Sequence, residues 1–374
     1  MKDTKISWAT HTFNPWIGCS RVHVGCTNCY AEAMAGRLGV QWGPNGTRRR
    51  TAESTWKQVE KWNRLGAKKD EQPETHVCRK CGTRYYCECG ASPLCDWVCD
   101  IVPYRPRVFS SLCDPFEDWQ GPVLNVKKRK LWKHWESNAV VAGEVRPRPQ
   151  WSPLTMQDIR KDFFALIDRC PNLDFLIATK RPQNIRQMWP MCDGPVVSVD
   201  PPMTSVVPYR PNVWLIYSAS DQETLERGLP HLLACRDLVS VLGISLEPLI
   251  GPVELPTHLC RDDGPGCFAH GRLREWISWV VVGGESGPNA RPCNVEWIRS
   301  IVQQCKSARV PCFVKQLGAN VEACDIIDAA DDFPGTVRLS YATRPNPRVY
   351  PRDPKGGDPA EWPEYLRVRE FPKV

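Results

Sequence analysis

The sequence lacks the features that mark a membrane or secreted protein. None of its 374 residues belongs to an apolar run of about 18, the length a membrane-spanning helix needs. Its amino-terminal residues contain no apolar segment of the signal-peptide type. Charge of one sign is not in large excess, because 49 Lys and Arg against 42 Asp and Glu leave +7. We therefore expect a cytoplasmic protein that does not contact a membrane, with a charge that suits an anionic partner.

Histidine is also scarce, whereas cysteine is abundant. Seven histidines make a hydrolytic zinc site a weak candidate, since such sites favour His and carboxylate ligands. The 19 cysteines are odd in number and cannot all pair with one another. Because the cytosol keeps thiols reduced, clustered cysteines indicate metal ligation rather than a disulfide scaffold.

Short apolar runs alternate with helix patterns along the chain. This alternation predicts parallel strands buried on both faces, in a partial or complete (β/α) barrel or in an open doubly wound sheet. Helices are predicted at 152–170, with Ser152 as the N-cap and Pro153 in the first turn, at 47–65 and at 295–307. The predicted strands are 5–8, 107–110, 174–179, 212–218, 241–246, 279–282 and 311–315.

Two segments interrupt this pattern and divide the chain. We predict that residues 1–70 form the first strand, a cysteine loop and a helix of the barrel. Residues 71–100 form a cysteine-rich insertion, and 101–339 complete the barrel around a basic insertion near 120–150. Residues 340–374 are rich in Pro and Arg and read as an extended wrap or a mobile tail.

The first cysteine group is Cys19, Cys26 and Cys29, in the spacing Cys-x6-Cys-x2-Cys. Three thiolates on a short loop suit a 4Fe–4S cluster with one iron left open. A structural zinc site wants four ligands, and His23 inside the loop is a candidate fourth. Plain buried thiols are the third interpretation.

The second cysteine group lies in the 71–100 insertion and contains Cys78, Cys81, Cys87 and Cys89, with Cys95 and Cys99 beyond. Six large apolar residues are too few to offset the entropy of ordering this segment. Bound metal would supply the difference. The segment therefore predicts a zinc site, with a second iron–sulfur cluster or unligated thiols as alternatives.

Charged residues follow the predicted strands. Lys180, Glu247 and Lys315 come at or just after the ends of apolar runs, where (β/α) barrels build their active sites, and are catalytic candidates. Gly283 and Gly284 permit a steep turn and a close ligand approach before Glu285. Arg291 could bind a carboxylate or phosphate through two N–H groups. A tight turn with a surface Glu is the alternative for 283–285.

Two basic stretches suggest nucleic acid as a partner. They are 48–50, which is three arginines, and 127–130, which has Trp132, His134 and Trp135 nearby. Such mixtures of cations and aromatic rings bind phosphate backbones and unstacked bases. Solvated charge runs are the alternative interpretation. A protein partner is another candidate, and the sequence does not indicate an oligomeric state.

The cysteine loop resembles that of radical S-adenosylmethionine (SAM) enzymes, especially relatives of spore photoproduct lyase, in residues 14–19 (NPWIGC) and 25–31 (GCTNCYA). The first gap has six residues where the common spacing has three. The whole chain is similar to the bacteriophage gene-product thirty-seven/sixty-eight family. The matching segments are 6–8 (ISW), 107–109 (RVF), 114–116 (DPF), 178–182 (ATKRP), 245–249 (SLEPL), 282–287 (VGGESG), 313–318 (FVKQLG) and 362–369 (WPEYLRVR).

This resemblance implies a partial barrel with the cluster at its carboxyl-end mouth, where SAM chelates the open iron and yields a 5′-deoxyadenosyl radical on reduction. In radical SAM enzymes a Gly-Gly-Glu sequence holds the SAM amino group, and it usually follows the second strand. Here it follows the sixth. Tyr30, Gly283, Gly284, Glu285 and Arg291 are then the residues expected to face the cofactor.

The sequence thus predicts a radical SAM enzyme that takes hydrogen from an unknown substrate, with a nucleic acid or modified nucleotide as one candidate. If the chain is phage-encoded, it would act in the host cytoplasm. The alternatives are a non-catalytic nucleic-acid-binding protein stabilised by zinc or iron–sulfur and a metal-dependent hydrolase.

Overall fold

The computed structural model describes most of the chain. The residues described are 4–70, 105–121, 123–125, 154–190, 209–256, 270–323, 333–334 and 348–372, with short strands at 76–77, 84–85, 102–103, 258–260 and 338–340. The second cysteine group at 78–99 and the basic stretch at 127–135 lie outside these residues. Within them, no helix combines the length and apolar character needed to cross a lipid bilayer.

Seven helices and nineteen strands are found in the described residues. The helices are α1 Tyr30–Ala35, α2 Glu53–Asp70, α3 Met156–Asp168, α4 Ile185–Met188, α5 Gln222–Leu233, α6 Leu273–Trp276 and α7 Val295–Ala308. The strands are β1 His11–Thr12, β2 Trp16–Ile17, β3 Arg48–Arg50, β4 His76–Val77, β5 Arg84–Tyr85, β6 Val102–Pro103, β7 Arg107–Phe109, β8 Val123–Asn125, β9 Asp174–Thr179, β10 Arg210–Ala219, β11 Val239–Leu246, β12 His258–Cys260, β13 His270–Arg272, β14 Trp279–Gly283, β15 Cys293–Asn294, β16 Cys312–Gln316, β17 Val321–Glu322, β18 Arg338–Ser340 and β19 Arg348–Tyr350.

The main sheet is a curled, all-parallel half-barrel. Its strand order is β1-β7-β9-β10-β11-β14-β16, so the strands follow one another in chain order. Helices α3, α5 and α7 precede β9, β11 and β16 respectively, as expected for parallel strands joined by helical crossovers. The prediction of a parallel α/β sheet in a partial barrel is confirmed. All seven carboxyl ends meet at one edge, which we call the mouth.

Both faces of this sheet are buried, which explains the continuous apolar runs. Along β9, Phe175 and Ile177 belong to the core shared with the helices, whereas Leu176 belongs to a second cluster on the concave face. That second cluster contains Trp8, Leu176, Trp214, Ile216, Val241, Trp279, Val281 and Phe313. Because successive side chains of a strand point to opposite faces of the sheet, one continuous apolar strand contributes to both clusters.

The two chain ends fill the concave face. Trp8 is 2% exposed and packs on Trp279, with 5.4 Å between ring centroids. The carboxyl-terminal segment pairs with the edge of β16, where the Val314 amide donates to the Val368 carbonyl at 2.8 Å. Phe371 stacks on Trp279 at 5.5 Å. The described part of the 340–374 segment thus packs against the barrel, and it contains β19 and two short 3-10 helices besides extended residues.

Three local predictions are wrong. Residues 5–8 form a turn rather than a strand, and the first strand of the sheet is β1. Their apolar pattern reflects packing of Ile6 and Trp8 in the cluster on the concave face. The helix predicted from 47 begins at Glu53, because 48–50 form β3 against β2 and β8. Helix α3 begins at Met156 with Thr155 as its N-cap, since the Thr155 hydroxyl and Asp158 form a reciprocal capping box.

Candidate functional site

The cysteine loop, residues 18–30, lies across the mouth of the half-barrel. The His23 Nε2 donates to the Ser218 carbonyl at 3.2 Å near the end of β10, and Tyr30 Oη donates to the Ser111 carbonyl at 2.9 Å beyond β7. Asn28 Nδ2 donates to Glu285 at 3.0 Å beyond β14. The loop therefore contacts carboxyl ends of strands spread across the sheet.

A glycine allows the chain to enter this loop. Gly18 has φ +120°, a left-handed conformation that other residues rarely adopt, and its amide donates to the Leu112 carbonyl at 3.1 Å. Space is also limiting, because a Cβ there would lie 2.4 Å from the Thr47 carbonyl oxygen. Gly18 thus sets the direction in which Cys19 leaves the small sheet of β2, β3 and β8.

The loop is fixed at its start by four buried charged side chains, Arg48, Asp114, Glu117 and Arg181, which we call the buried quartet. Arg48 binds Glu117 through two N–H groups at 2.6 and 2.7 Å. Arg181 donates to Asp114 at 2.9 Å and lies 3.6 Å from Glu117. Arg48 and Glu117 are almost fully buried, so these charges are stabilised by one another rather than by water.

The quartet changes the interpretation of the 48–50 stretch. Arg48 is buried in the quartet, and Arg50 is buried against Trp56 while it pairs with Glu53 and Asp162, both at 3.3 Å. Neither guanidinium is available to a phosphate backbone. The prediction of a basic surface patch at 48–50 is therefore wrong for Arg48 and Arg50, because acidic residues neutralise both side chains inside the fold.

The other end of the loop is fixed by Asn28, Glu285 and Arg291, which we call the Glu285 clasp. Arg291 donates to Glu285 from Nη2 at 2.7 Å, from Nε at 3.0 Å and from its amide at 2.9 Å. Its Nη1 donates to the Val24 carbonyl at 2.9 Å. Burial alone would raise the pKa of Glu285, but the hydrogen bonds from Arg291 and Asn28 hold that pKa below its usual value.

The 283–285 turn is therefore in contact with other parts of the protein. Glu285 is 5% exposed, so the alternative of a surface carboxylate is wrong. A Cβ on Gly284 would lie 2.1 Å from the Leu317 carbonyl oxygen, so the close approach it permits is to the chain's own backbone. Gly283 ends β14 beside Gln316 of β16. Contact of Gly283, Gly284, Glu285 or Arg291 with SAM stays a prediction.

The three catalytic candidates lie together under the loop. Lys180 Nζ donates to Ser218 Oγ, which donates to the Glu247 carbonyl at 3.1 Å. Lys315 Nζ forms an ion pair with the Glu247 carboxylate, and these two side chains are 21% and 17% exposed. A lysine from β9's end and one from β16 thus flank one carboxylate at the mouth. Ser218 was missed, although it is a small polar residue that closes an apolar strand.

His23 connects the loop to Ser218 and Lys180 at the mouth. Burial, and then the charge of Lys180, lowers the pKa of His23 to about 4. The ring is therefore neutral at pH 7, with Nε2 donating to Ser218 and Nδ1 accepting from the Gly25 amide at 3.0 Å. A neutral His23 is thus part of what seats the loop.

The three loop thiols differ in their surroundings. Cys26 is buried, whereas Cys19 and Cys29 are partly exposed, and Cys29 is the N-cap residue of α1. Arg181 Nη1 lies 3.5 Å from Cys19 Sγ. Burial and the carboxylate of Glu117 raise the pKa of Cys19, against the opposing charge of Arg181.

This donor set matches an iron–sulfur cluster in the type of its ligands but not in their arrangement. Cysteine thiolates hold such clusters, and the three thiols are free and share one loop over the mouth. The sulfurs are not gathered around one point. In the part of the chain that the structure describes, no three His, Cys, Asp or Glu side chains are grouped as ligands of one metal ion.

Fold and site together define a partial α/β barrel whose mouth is covered by a cysteine loop and lined by two lysines and a carboxylate. The chain belongs to the family described as protein of unknown function DUF5131, whose family model matches residues 3–88 and 152–343. No curated protein and no solved structure matches the chain. The matched residues include the loop, the clasp and the catalytic candidates.

The first prediction concerns the Glu285 clasp. Replacing Arg291 by Gln removes the ion pair and the contact with Val24, so the loop should open more often. We expect hydrogen–deuterium exchange of the amides at 23–30 to accelerate about tenfold or more, as loss of about 1.4 kcal/mol would cause. Arg299→Gln, which removes a surface ion pair with Glu296, is the control. Equal exchange in both variants would mean that the clasp does not hold the loop.

The second prediction concerns pH. Because the pKa of His23 is about 4 in the folded chain and 6.5 in the unfolded chain, the unfolded state binds the extra proton between these values. Stability should therefore fall as the pH drops from 6.5 to 4, by on the order of 2–3 kcal/mol. Unfolding by denaturant at several pH values measures this.

His23→Gln should remove that component, whereas His231→Gln, at an exposed position in α5, should leave it in place. An imidazole resonance of His23 that titrates near pH 6.5 would contradict the account.

Proposed function

We propose that this chain is a radical SAM enzyme of the kind its cysteine loop resembles, related to the bacteriophage gene-product thirty-seven/sixty-eight family. One observation carries the proposal: a three-cysteine loop lies across the carboxyl ends of a parallel partial barrel. In (β/α) barrels the chemistry is placed at these ends. A loop that served only as a structural connection would have no reason to contact β10, β14 and the segment after β7 together.

Cys19, Cys26 and Cys29 are the residues that would hold a 4Fe–4S cluster. When bound, the cluster and SAM would supply one-electron cleavage of SAM and abstraction of hydrogen from the substrate. The candidates to seat SAM are Tyr30 at the end of the loop and, beside the loop, Gly283, Gly284, Glu285 and Arg291. Of these, Glu285 and Arg291 already act on the loop itself, which they fasten to the barrel.

The other polar residues at the mouth would bind and orient the substrate. Lys180, held by Ser218, presents a cation beside the neutral His23. Lys315 and Glu247 neutralise each other, so together they offer a donor and an acceptor without net charge. The aromatic concave face lies below these residues, and Lys315 and Glu247 are only 21% and 17% exposed, which limits access of water to a reactive intermediate.

The non-catalytic alternative, a zinc-stabilised nucleic-acid-binding protein, has less support in the described residues. Arg48 and Arg50 point into the fold and pair with acidic side chains. The zinc assignment for Cys78, Cys81, Cys87 and Cys89 stays a prediction, since those residues lie outside the described part. Nucleic acid or a modified nucleotide remains the proposed substrate class.

The third prediction tests the cluster. After anaerobic purification and reconstitution with iron and sulfide, the wild-type chain should contain about four irons and four sulfides that Cys29→Ala lacks. The matched control is Cys170→Ala, which removes a buried thiol outside the loop. Reduced protein supplied with SAM should then release 5′-deoxyadenosine, and Cys29→Ala should not.

The metal content of the purified protein can also contradict the proposal. A colourless protein that carries zinc alone, or iron that Cys29→Ala retains in full, would favour a structural metal site and contradict the proposed enzyme.

A further inference from the structure

The concave face of the half-barrel changes from apolar to polar toward the mouth. Side chains on one face of a strand are two residues apart, so Leu176 in β9 is followed on this face by Ala178 and then by Lys180. In β10, Ile216 is followed likewise by Ser218. Because β9 and β10 are paired neighbours, Lys180 and Ser218 lie side by side and their side chains are hydrogen-bonded.

An ion pair completes the polar residues on this face. Lys315 follows Phe313 of the concave cluster by two residues, and its Nζ lies 5.9 Å from the centre of the Trp8 ring. Its partner Glu247 follows β11, and β14 lies between β11 and β16 in the sheet. The ion pair therefore spans the end of β14, whose last residue, Gly283, has no side chain. The charge of Lys315 is thus neutralised within the mouth.

Lys180 has no such counter-ion. Its Nζ donates to the Ser218 hydroxyl and, among the described residues, forms no ion pair with a carboxylate. Asp114 of the buried quartet accepts from the Lys180 amide at 3.1 Å. An ammonium group has three N–H donors, so two remain for a ligand, and the side chain is only half-buried. Two lysines, Lys180 and Lys315, and the single carboxylate of Glu247 give the mouth a net charge of +1.

We infer that the mouth contains a binding site for an anionic oxygen group of the substrate, a phosphate or a carboxylate, and that Lys180 binds this group. The inference names the charge of the substrate and therefore rests on the proposed function. Hydrogen bonds from an ammonium to an oxyanion are among the strong ones, and the apolar layer below strengthens them further.

The position of Lys180 separates this anion from SAM. The Glu285 clasp, beside which we propose that SAM binds, lies beyond the end of β14. Lys180 follows β9, and β10 and β11 lie between these two strands in the sheet. The anion is therefore assigned to the substrate.

Glu247 opposes the binding of an anion. Its carboxylate neutralises Lys315 and places a negative charge near Lys180, to which its backbone is linked through Ser218. Loss of that carboxylate would free the ammonium of Lys315 and leave two unneutralised cations at the mouth. Lys180 and Glu247 thus have opposite effects on the affinity for an anion.

The fourth prediction is a pair of opposite changes in that affinity. Lys180→Gln should weaken the binding of inorganic phosphate about tenfold or more, because a charge-assisted hydrogen bond is lost. Glu247→Gln should strengthen it about threefold or more, because a like charge is removed. A gain in affinity cannot come from a variant that fails to fold. Titration of the full-length chain at constant ionic strength, followed by NMR through the amide signal of Ser218, measures both changes.

The control is Lys306→Gln. Lys306 is exposed in the last turn of α7, which ends shortly before β16 begins and so lies at the edge opposite the mouth. Its loss should leave the affinity for phosphate unchanged. Acetate identifies the chemical group: tighter binding of phosphate supports a substrate of the nucleotide class, and tighter binding of acetate supports a carboxylate substrate.

Failure of this inference and failure of the proposed function are distinguishable. No saturable binding of either anion to the wild-type chain, or equal affinity in Lys180→Gln and Lys306→Gln, overturns the anion site whatever the iron content of the protein. Binding that depends on Lys180, in a chain that forms no 5′-deoxyadenosine from SAM, supports the anion site and overturns the proposed function alone.

Discussion

The buried quartet is the constraint on which the site depends. Four charged side chains with almost no exposure are stable only as a set, and removal of one partner from such a pair costs about 3–5 kcal/mol. The quartet fixes the start of the cysteine loop, because Arg181 donates to the Ser20 carbonyl at 2.9 Å, and the Glu285 clasp fixes the later part of the loop. Two separate electrostatic attachments thus hold one loop over the carboxyl ends of the strands.

The barrel beneath that loop is divided by polarity. Its concave face is filled by tryptophan and phenylalanine side chains, including Trp8 and Phe371 from the two chain ends. A polar layer follows this apolar layer at the mouth, and it consists of Lys180, Ser218, Glu247 and Lys315. Because the layer below excludes water, charges at the mouth interact more strongly there than on an open surface.

The sequence predicts what depends on local pattern and misses what depends on distant partners. Strand β9 is predicted at its observed bounds because a continuous apolar run marks a strand buried on both faces. The grouping of Lys180, Glu247 and Lys315 follows from parallel strands, whose ends must meet. The clasp was not predictable, because Asn28 and Glu285 are 257 residues apart. Burial of Arg48 depends likewise on Glu117, and three consecutive arginines in a sequence give no sign of it.

The central claim is that the cysteine loop holds metal at the mouth of the half-barrel. The most direct test is anomalous diffraction at the iron absorption edge from crystals of the anaerobically reconstituted chain. The account predicts one compact iron peak within bonding distance of Cys19, Cys26 and Cys29, between the Glu285 clasp and Lys180. Iron found only elsewhere in the chain, or no iron peak beside these three sulfurs, would contradict it.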